Sequence, residues 1–224
     1  MSEPEPTQER RRRREFIRTS AVYLVTEESL SAGRSSEEIA EAALGAGVRV
    51  VQVREKEGSA RRALEIAIGL RESTRRHGAL LIVNDRIDIA IACDADGVHL
   101  GQGDLPIALA RLLLGEDAIV GLSITHEDQL ETDDAREADY LGVGSVFPTG
   151  SKDDATITGL HLLELARARS DLPIVAIGGI TAANAGKAVA FGADSLAVIS
   201  AVTAAPDPAA AALELGVAVE NHRR

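Results

Sequence analysis

Two aspartates, Asp85 and Asp104, have the residue type and the spacing of a metal-binding pair. Asp85 follows the apolar segment LLIVN, Asp104 comes shortly after the apolar segment GVHL, and one helix-sized segment lies between them. If both segments are neighbouring parallel strands, their carboxyl ends bring the two acids to the same rim of a sheet. Such a pair suits Mg²⁺, which usually binds one or two carboxylates together with substrate phosphates. For either acid alone, capping of a helix N-terminus is the alternative interpretation.

A second polar group lies at the end of the segment RVVQVRE, which has the composition of a strand. Gln52, Arg54 and Lys56 alternate with residues of other types, so their side chains share one face of that strand. One amide and two cations would suit an anion that is attached to a heteroaromatic ring. The alternative is a solvated strand end whose positive charges are neutralised by Glu55 and Glu57.

Three further segments offer groups that bind anions. Gly178 and Gly179 precede Thr181 at the start of a helical pattern, where bare backbone amides and a helix N-terminus attract phosphate. Ser200 ends a later strand, and the loop FPTGSKDDATITG contributes hydroxyl groups and Lys152. Glycine pairs also make tight turns, and the loop also fits a mobile surface segment, so these simpler interpretations stay open.

These residues need strands that end on one rim, and the hydrophobic pattern supplies them. Short β-rich segments alternate strictly with helix-period segments along the chain. The predicted strands cover residues 22–26, 49–55, 80–84, 97–100, 119–124, 140–147, 174–180 and 195–200. Eight βα units in about 200 residues predict a single-domain α/β fold, the TIM (β/α)8 barrel, whose active site lies where the strands end. A doubly wound open sheet is the alternative, although no GxGxxG follows the first strand.

The amino-acid composition argues against several classes of protein. The chain has 224 residues and a net charge of −11, and this acidic balance argues against a nucleic-acid surface. Its single cysteine, Cys93, excludes a disulfide framework and a thiolate metal cluster. No segment approaches the roughly 18 apolar residues of a membrane span. Neither a nucleic acid nor a membrane is therefore expected as a partner.

The N-terminal arginine run has two interpretations. Arg10 to Arg14, followed by EFIR, is similar to a twin-arginine export signal, but the apolar stretch from Ala21 to Val25 is too short for one. We therefore predict a cytoplasmic protein with a disordered polar tail over residues 1–18 and a catalytic barrel over residues 19–224.

Seven segments, in order, resemble the signature segments of the thiamine-phosphate synthase family: VQVREK, LIVNDRIDIA, DGVHLGQGDLP, GLS, ADYLGVGSVFPTGSK, AIGGIT and AVISA. The resemblance extends from about Val22 to Val202. It implies a TIM-barrel transferase of thiamine biosynthesis that joins 4-amino-2-methyl-5-(diphosphooxymethyl)pyrimidine to 4-methyl-5-(2-phosphooxyethyl)thiazole. The products would be thiamine monophosphate and pyrophosphate, and Mg²⁺ would be the cofactor.

The resemblance also implies a role for each matching residue. Asp85 and Asp104 would bind Mg²⁺. The pyrimidine diphosphate would contact Gln52, Val53, Arg54, Glu55, Lys56, Asn84, Ser123 and Lys152. The thiazole phosphate would contact Thr149, Gly150, Ser151, Gly179, Ile199 and Ser200. Arg54, Lys152 and Ser123 would be the catalytic residues, and no protein nucleophile would be needed.

The chain departs from the family pattern at Gly103, where an acid is usual, at Ser145, often a proline, and at Ser151, more often a threonine. The closest alternative is a thiazole tautomerase on the same barrel, in which the two acids tend to be lost and a histidine replaces Thr125. The other alternative is a catalytically silent barrel that binds a thiamine precursor or a protein partner. The expected partners are the two phosphorylated small molecules, and the sequence is compatible with a homo-oligomer.

Overall fold

Eight parallel strands close into a barrel in the computed structural model, which describes residues 5–56, 58–149 and 158–223. The strands are β1 Val22–Val25, β2 Val50–Val53, β3 Leu80–Asn84, β4 Gly97–Leu100, β5 Ile119–Ile124, β6 Tyr140–Val143, β7 Ile174–Ile177 and β8 Ser195–Val198. Each strand pairs with the next along the chain, and β8 pairs with β1. The predicted TIM barrel is confirmed, and the open doubly wound sheet is excluded.

The described residues form ten α-helices: α1 Gln8–Thr19, α2 Ser36–Gly45, α3 Ala60–His77, α4 Ile87–Ala92, α5 Ile107–Leu114, α6 Asp133–Glu137, α7 Gly159–Arg169, α8 Ala182–Ala190, α9 Ser200–Thr203 and α10 Pro208–Glu220. Short 3₁₀-helices lie at Glu28–Leu30 and Glu127–Glu131. The predicted capping box begins α2, because Ser35 Oγ accepts from the Glu38 N–H and the Glu38 carboxylate accepts from the Ser35 N–H. Among the helices described, none combines the length and the apolar character needed to cross a membrane.

The bounds of five strands differ from the prediction: β1, β2 and β8 by one or two residues at an end, and β6 and β7 by three or four. The bounds of β3, β4 and β5 are as predicted, whereas β6 and β7 end at Val143 and Ile177 rather than at residues 147 and 180. Glycines follow both strands, and Gly178 and Gly179 have φ angles of 104° and 62° that take the chain out of the sheet. The residues beyond them therefore belong to the loops of the rim.

Side chains of the strands alternate between two hydrophobic cores. Outward-facing residues such as Leu24 and Val51 pack with the helices, while inward-facing residues such as Tyr23, Ile82 and Tyr140 fill the barrel. Both faces of the sheet are covered, which explains the nearly continuous apolar strands of the sequence.

The N-terminal segment is ordered, so the prediction of a disordered tail is wrong for residues 8–18. Thr7 caps α1 by accepting from the Arg10 N–H at 3.1 Å. Ile17 is fully buried and joins the cluster of residues inside the barrel. Local composition predicts that a run of arginines is exposed to solvent. Here packing against the barrel stabilises the helix instead.

Asp139, which directly precedes β6, anchors α1 to the barrel. This residue is completely buried. Its carboxylate pairs with Arg10 at 2.5 Å, with Arg14 at 2.6 Å and with Arg111 at 2.6 Å. It also accepts a hydrogen bond from the Val120 N–H at 2.8 Å. Every lone pair of the buried acid thus faces a donor, which is the condition under which a buried ion pair is tolerated.

The same arrangement recurs before β4 and β8. Asp96 and Asp194 each accept a hydrogen bond from a backbone N–H of the preceding strand, at 2.9 and 2.8 Å. Each also pairs with two arginines. One lies in the helix that leads into the strand whose N–H the acid accepts from, and the other lies in α1. These arginines are Arg71 and Arg13 for Asp96, and Arg167 and Arg18 for Asp194. α1 therefore joins three equivalent acids at the N-terminal end of the barrel, opposite the predicted active site.

Candidate active site

A pocket of about 270 Å³ opens at the C-terminal end of the barrel, and residues from all eight strands line it. Eight of the residues singled out in the sequence form part of this wall: Gln52, Arg54, Lys56, Asn84, Asp85, Asp104, Ser123 and Ile199. Closure of the barrel brings these residues together because each lies at or just beyond the end of a strand, as the TIM-barrel prediction requires.

Two residues of the predicted set point elsewhere. The Val53 side chain packs in the core between the sheet and the helices. Glu55 Oε1 accepts from the Gly58 N–H at 2.9 Å, within the loop that follows β2. Neither side chain lines the pocket, so the substrate contacts of Val53 and Glu55 stay a prediction. Gly150, Ser151 and Lys152 lie outside the described residues.

Gln52 and Asn84 place two amides side by side on the wall. Gln52 Nε2 donates to Asn84 Oδ1 at 2.9 Å, and Gln52 is buried. Because amides both donate and accept hydrogen bonds, the pair suits a heterocycle that carries ring nitrogens and an amino group.

Arg54 forms a shielded ion pair with Glu27, a residue just after β1 that sequence reasoning missed. The two side chains are 10% and 13% exposed. Burial lowers the pKa of the Arg54 guanidinium, and the negative charges of Asp85 and Glu55 oppose that effect. Guanidinium keeps its proton under all ordinary conditions, so Arg54 presents a fixed positive charge to the pocket. The only signal for Glu27 in the sequence is an acid directly after the first strand.

Asp85 and Asp104 meet on the rim, where both line the pocket and their carboxyl groups lie close enough to interact. Asp104 Oδ2 also accepts from the Gly101 N–H at 2.7 Å. The N-caps of the helices that follow are Arg86 and Pro106, and the first N–H of α5 is capped by the Asp134 side chain rather than by Asp104. The helix-capping interpretation of the two aspartates is therefore wrong.

The pair is crowded with negative charge. Desolvation, followed by repulsion from Asp104, raises the pKa of the Asp85 carboxyl from 3.8 to about 6, although Lys56 and Arg54 oppose the shift. Asp85 also has a left-handed backbone, with φ of 59°, a conformation that clusters at functional sites. No group of three or more His, Cys, Asp or Glu ligands occurs among the described residues. Two carboxylates with open coordination positions fit a hard cation that is shared with an anionic ligand.

A hydrogen-bonded chain crosses the interior of the barrel beneath this rim. Tyr23 Oη lies 2.9 Å from Tyr140 Oη, which lies 3.0 Å from His99 Nδ1. His99 Nε2 lies 2.9 Å from Ser123 Oγ. Burial raises the pKa of both tyrosines, so both hydroxyl groups keep their protons near neutral pH. Apart from Ser123, these residues were not predicted as site residues; their signal is a polar tip within the apolar strands VYLV, GVHL and YLGV.

Gly142 leaves the space that the His99 ring occupies, and this gives a testable expectation. A Cβ at position 142 would lie 2.7 Å from His99 Cε1, well inside the ~3.5–4.0 Å of ordinary carbon contact. We expect Gly142→Ala to displace the imidazole from Ser123 and to lower turnover while the circular dichroism spectrum is kept. Gly216→Ala is the matched control, since nothing lies within 4 Å of its Cβ position. Equal turnover in the two variants would contradict this role of Gly142.

Residues predicted to bind a second phosphate gather beside the pocket. Ile199 lines the pocket, and Ser200 follows it as the first residue of α9. A Cβ on Gly179 would lie 2.3 Å from the Pro148 carbonyl oxygen, so the loop that carries Thr149 runs directly over this glycine. The loops after strands seven and eight are a frequent phosphate site in TIM barrels.

Similarity to known proteins extends over nearly the whole chain. Residues 22–202 match the family model described as thiamine monophosphate synthase. A thiamine-phosphate synthase of Haloarcula marismortui is 51% identical over 211 residues, which cover 90% of this chain and 98% of the relative. That of Chloroflexus aurantiacus is 50% identical over 195 residues, covering 87% of this chain and 90% of the relative.

Solved structures agree with this match. The thiamine phosphate pyrophosphorylase of Pyrococcus furiosus superimposes with a TM-score of 0.84 at 38% identity, covering 92% of this chain and 98% of that one. A 3-hexulose-6-phosphate synthase structure has a TM-score of 0.66 at 18% identity, a likeness of fold alone. The matched region begins after α1 and includes every strand of the barrel.

Proposed function

The chain belongs to the thiamine monophosphate synthase family, and from this premise we propose that it is a transferase that makes thiamine monophosphate. The substrates are 4-amino-2-methyl-5-(diphosphooxymethyl)pyrimidine and 4-methyl-5-(2-phosphooxyethyl)thiazole, and pyrophosphate is released. The observation that carries the proposal is the position of the Asp85–Asp104 pair, on the same pocket wall as Arg54 and Lys56. Two acids that can hold a metal ion, next to two positively charged side chains, make a site that suits a diphosphate leaving group.

The proposed residue roles follow from this arrangement. Gln52 and Asn84 hold and orient the aminopyrimidine through their amides. Arg54 and Lys56 bind the diphosphate and offset the negative charge that develops as the bond from the pyrimidine methylene carbon to the diphosphate oxygen breaks. The thiazole nitrogen then forms the new bond to that carbon. Lys152, in the loop after β6, is proposed to join Arg54 in stabilising the departing group.

Magnesium is the proposed cofactor, with Asp85 and Asp104 as its protein ligands. Their close, mutually repelling carboxyl groups make a donor set that fits the ion, because a divalent cation would relieve the repulsion that contributes to the raised pKa of Asp85. When bound, Mg²⁺ would supply charge neutralisation to the diphosphate oxygens.

The thiazole phosphate is proposed to bind beside the amino ends of α8 and α9. Ser200 begins α9, Gly179 lies shortly before α8 and against the Pro148 carbonyl that precedes Thr149, and Ile199 lines the pocket; these positions support the proposal. Gly150 and Ser151 are proposed as further contacts. The enzyme thus mainly positions two substrates and balances their charge, so no protein nucleophile takes part. A cytoplasmic location and a homo-oligomeric state remain predictions.

One assay tests the proposed function. The purified protein is mixed with both phosphorylated substrates and Mg²⁺, and thiamine monophosphate and pyrophosphate are measured over time. Equal amounts of the two products are expected, and none without the thiazole phosphate. A thiazole tautomerase or a silent barrel would release no pyrophosphate. Absence of both products would refute the synthase assignment.

The raised pKa of Asp85 predicts how metal binding depends on pH. The metal needs the carboxylate, but the metal-free protein holds a proton on Asp85 below about pH 6. The apparent affinity for Mg²⁺, measured without pyrophosphate because pyrophosphate itself titrates in this range, should therefore be flat above about pH 7 and fall up to about tenfold per pH unit below 6. Calorimetric titration measures this. In Asp104→Asn the repelling charge is gone, so the onset of the fall should move to lower pH; an unmoved onset would argue against coupling of the two acids.

A further inference from the structure

The chain of hydrogen bonds from Tyr23 to Ser123 has a direction that can be worked out from its donors and acceptors. Tyr23 is 1% exposed, and within the described part of the chain the hydrogen-bond partner of its hydroxyl group is the Tyr140 oxygen. A buried hydroxyl group needs an acceptor for its proton. Tyr23 therefore donates to Tyr140.

The remaining bonds follow in turn. Because the Tyr140 oxygen accepts the proton of Tyr23, its own proton is directed to His99 Nδ1, 3.0 Å away. An imidazole nitrogen that accepts a hydrogen bond carries no proton, so the proton of neutral His99 is on Nε2. That Nε2–H donates to Ser123 Oγ at 2.9 Å.

The consequence is felt at Ser123, whose side chain lines the pocket. Its oxygen is occupied as an acceptor by His99, so its own O–H is left to point at a ligand. In the opposite tautomer, which is protonated on Nδ1, Ser123 would donate its hydroxyl proton to His99 Nε2. Only the lone pairs of Ser123 Oγ would then face the ligand. An anionic or nitrogen acceptor on the substrate would then meet no donor.

We infer that Tyr140 and His99 are positioning residues that turn the Ser123 hydroxyl into a hydrogen-bond donor toward the substrate, with His99 fixed as the Nε2–H tautomer. The benefit to the reaction rests on the proposed function, whereas the tautomer does not. Glycines make room for the arrangement, since a Cβ at Gly121 would lie 2.1 Å from the Tyr140 ring and one at Gly142 would collide with His99. Glycine at positions 121 and 142 thus leaves the space that the two rings occupy.

The tautomer is measured directly in the substrate-free protein. Long-range ¹H–¹⁵N correlation spectra of ¹⁵N-histidine-labelled protein, at about pH 8 where an ordinary imidazole is neutral, distinguish protonation at Nε2 from protonation at Nδ1. His99→Gln identifies the signal among the five histidines. The Nε2–H pattern is expected. An Nδ1–H pattern, or protonation of both nitrogens, would overturn the inference even if the enzyme is fully active.

Two conservative variants separate the direction of the chain from simple packing. Tyr140→Phe keeps the ring but removes the donor to Nδ1, so the Nδ1–H form should appear. Tyr23→Phe also keeps its ring, but Tyr140 can still donate to His99, so the Nε2–H form should persist. A tautomer that responds to Tyr23→Phe and ignores Tyr140→Phe would contradict the assigned direction.

The kinetic readout is a split between kcat and KM. Loss of one neutral hydrogen bond that matters in the transition state lowers kcat by about three- to tenfold. We expect Tyr140→Phe to show this loss with little change in KM for either substrate. Ser123→Ala should be at least as slow, and adding Tyr140→Phe to it should cause no further loss. Fully additive losses in the double variant would show that Tyr140 does not act through Ser123.

Discussion

Replacing Arg54 with methionine is expected to slow the formation of thiamine monophosphate by about 10²- to 10³-fold, the usual cost of removing one group that stabilises developing charge. The Arg54 side chain is 10% exposed, and the residue lines the pocket. It lies close enough to Asp85 for their charges to interact. Methionine keeps much of the side-chain length but removes the charge and all five donors. Single-turnover kinetics with both substrates measure the chemical step itself.

Arg62 offers the matched control for this experiment. It also pairs with a glutamate, Glu28, which is the neighbour of Glu27 in sequence, but it is largely exposed and does not line the pocket. Arg62→Met should leave turnover unchanged. Comparable losses of turnover in the two variants would mean that the loss of one positive charge from the protein, and not the position of Arg54 in the pocket, lowers the rate.

The partner of Arg54 allows its two contributions to be separated. Arg54→Met leaves the Glu27 carboxylate, 13% exposed, without its ion pair, and the free energy of unfolding should fall. Adding Glu27→Gln should restore this stability without restoring turnover. If the double variant regains turnover, Arg54 acts by neutralising Glu27 and not by contacting the diphosphate.

The largest expected effect on stability comes from Asp139 at the opposite end of the barrel. Asp139→Ala leaves three guanidinium groups without their shared, fully buried acid and removes the acceptor of the Val120 N–H. Breaking a buried ion pair from one side costs about 3–5 kcal/mol. We expect a loss of this size in the free energy of unfolding from urea denaturation followed by circular dichroism.

Asp133→Ala is the control for Asp139. Its side chain is 91% exposed, and its ion-pair partner among the described residues is Arg136 on the same helix turn. Such a surface pair contributes about 0–1 kcal/mol. A loss for Asp139→Ala within the same range would show that the cluster of arginines is not what holds α1. Because Asp139 itself does not line the pocket, the folded variant should still turn over substrate.

Much of the fold could be predicted because each strand carries its own local signal. The segments of β3, β4 and β5 are bounded by turns and helix starts, and their limits are as predicted. The eight pocket residues could be predicted for a related reason. In a parallel barrel, a position at the end of a strand is enough to place a side chain on the rim.

The errors arose where the deciding partner is distant in sequence. Arg10 and Asp139 are 129 residues apart, and Arg18 and Asp194 are 176 residues apart. Local composition therefore described a solvated tail where α1 is packed. Similarly, the partner of Arg54 is Glu27 in another loop. The link from Tyr23 to Tyr140 exists only because β1 and β6 face each other across a closed barrel.

The anchoring of α1 also bears on the order in which the molecule assembles. During synthesis the arginine helix emerges first, but Asp96, Asp139 and Asp194 emerge later, the last of them only with β8. Contacts of such long sequence separation form late because their loop-closure entropy must be overcome first. α1 therefore leaves the ribosome before its three partner acids but is expected to be among the last elements to dock onto the barrel.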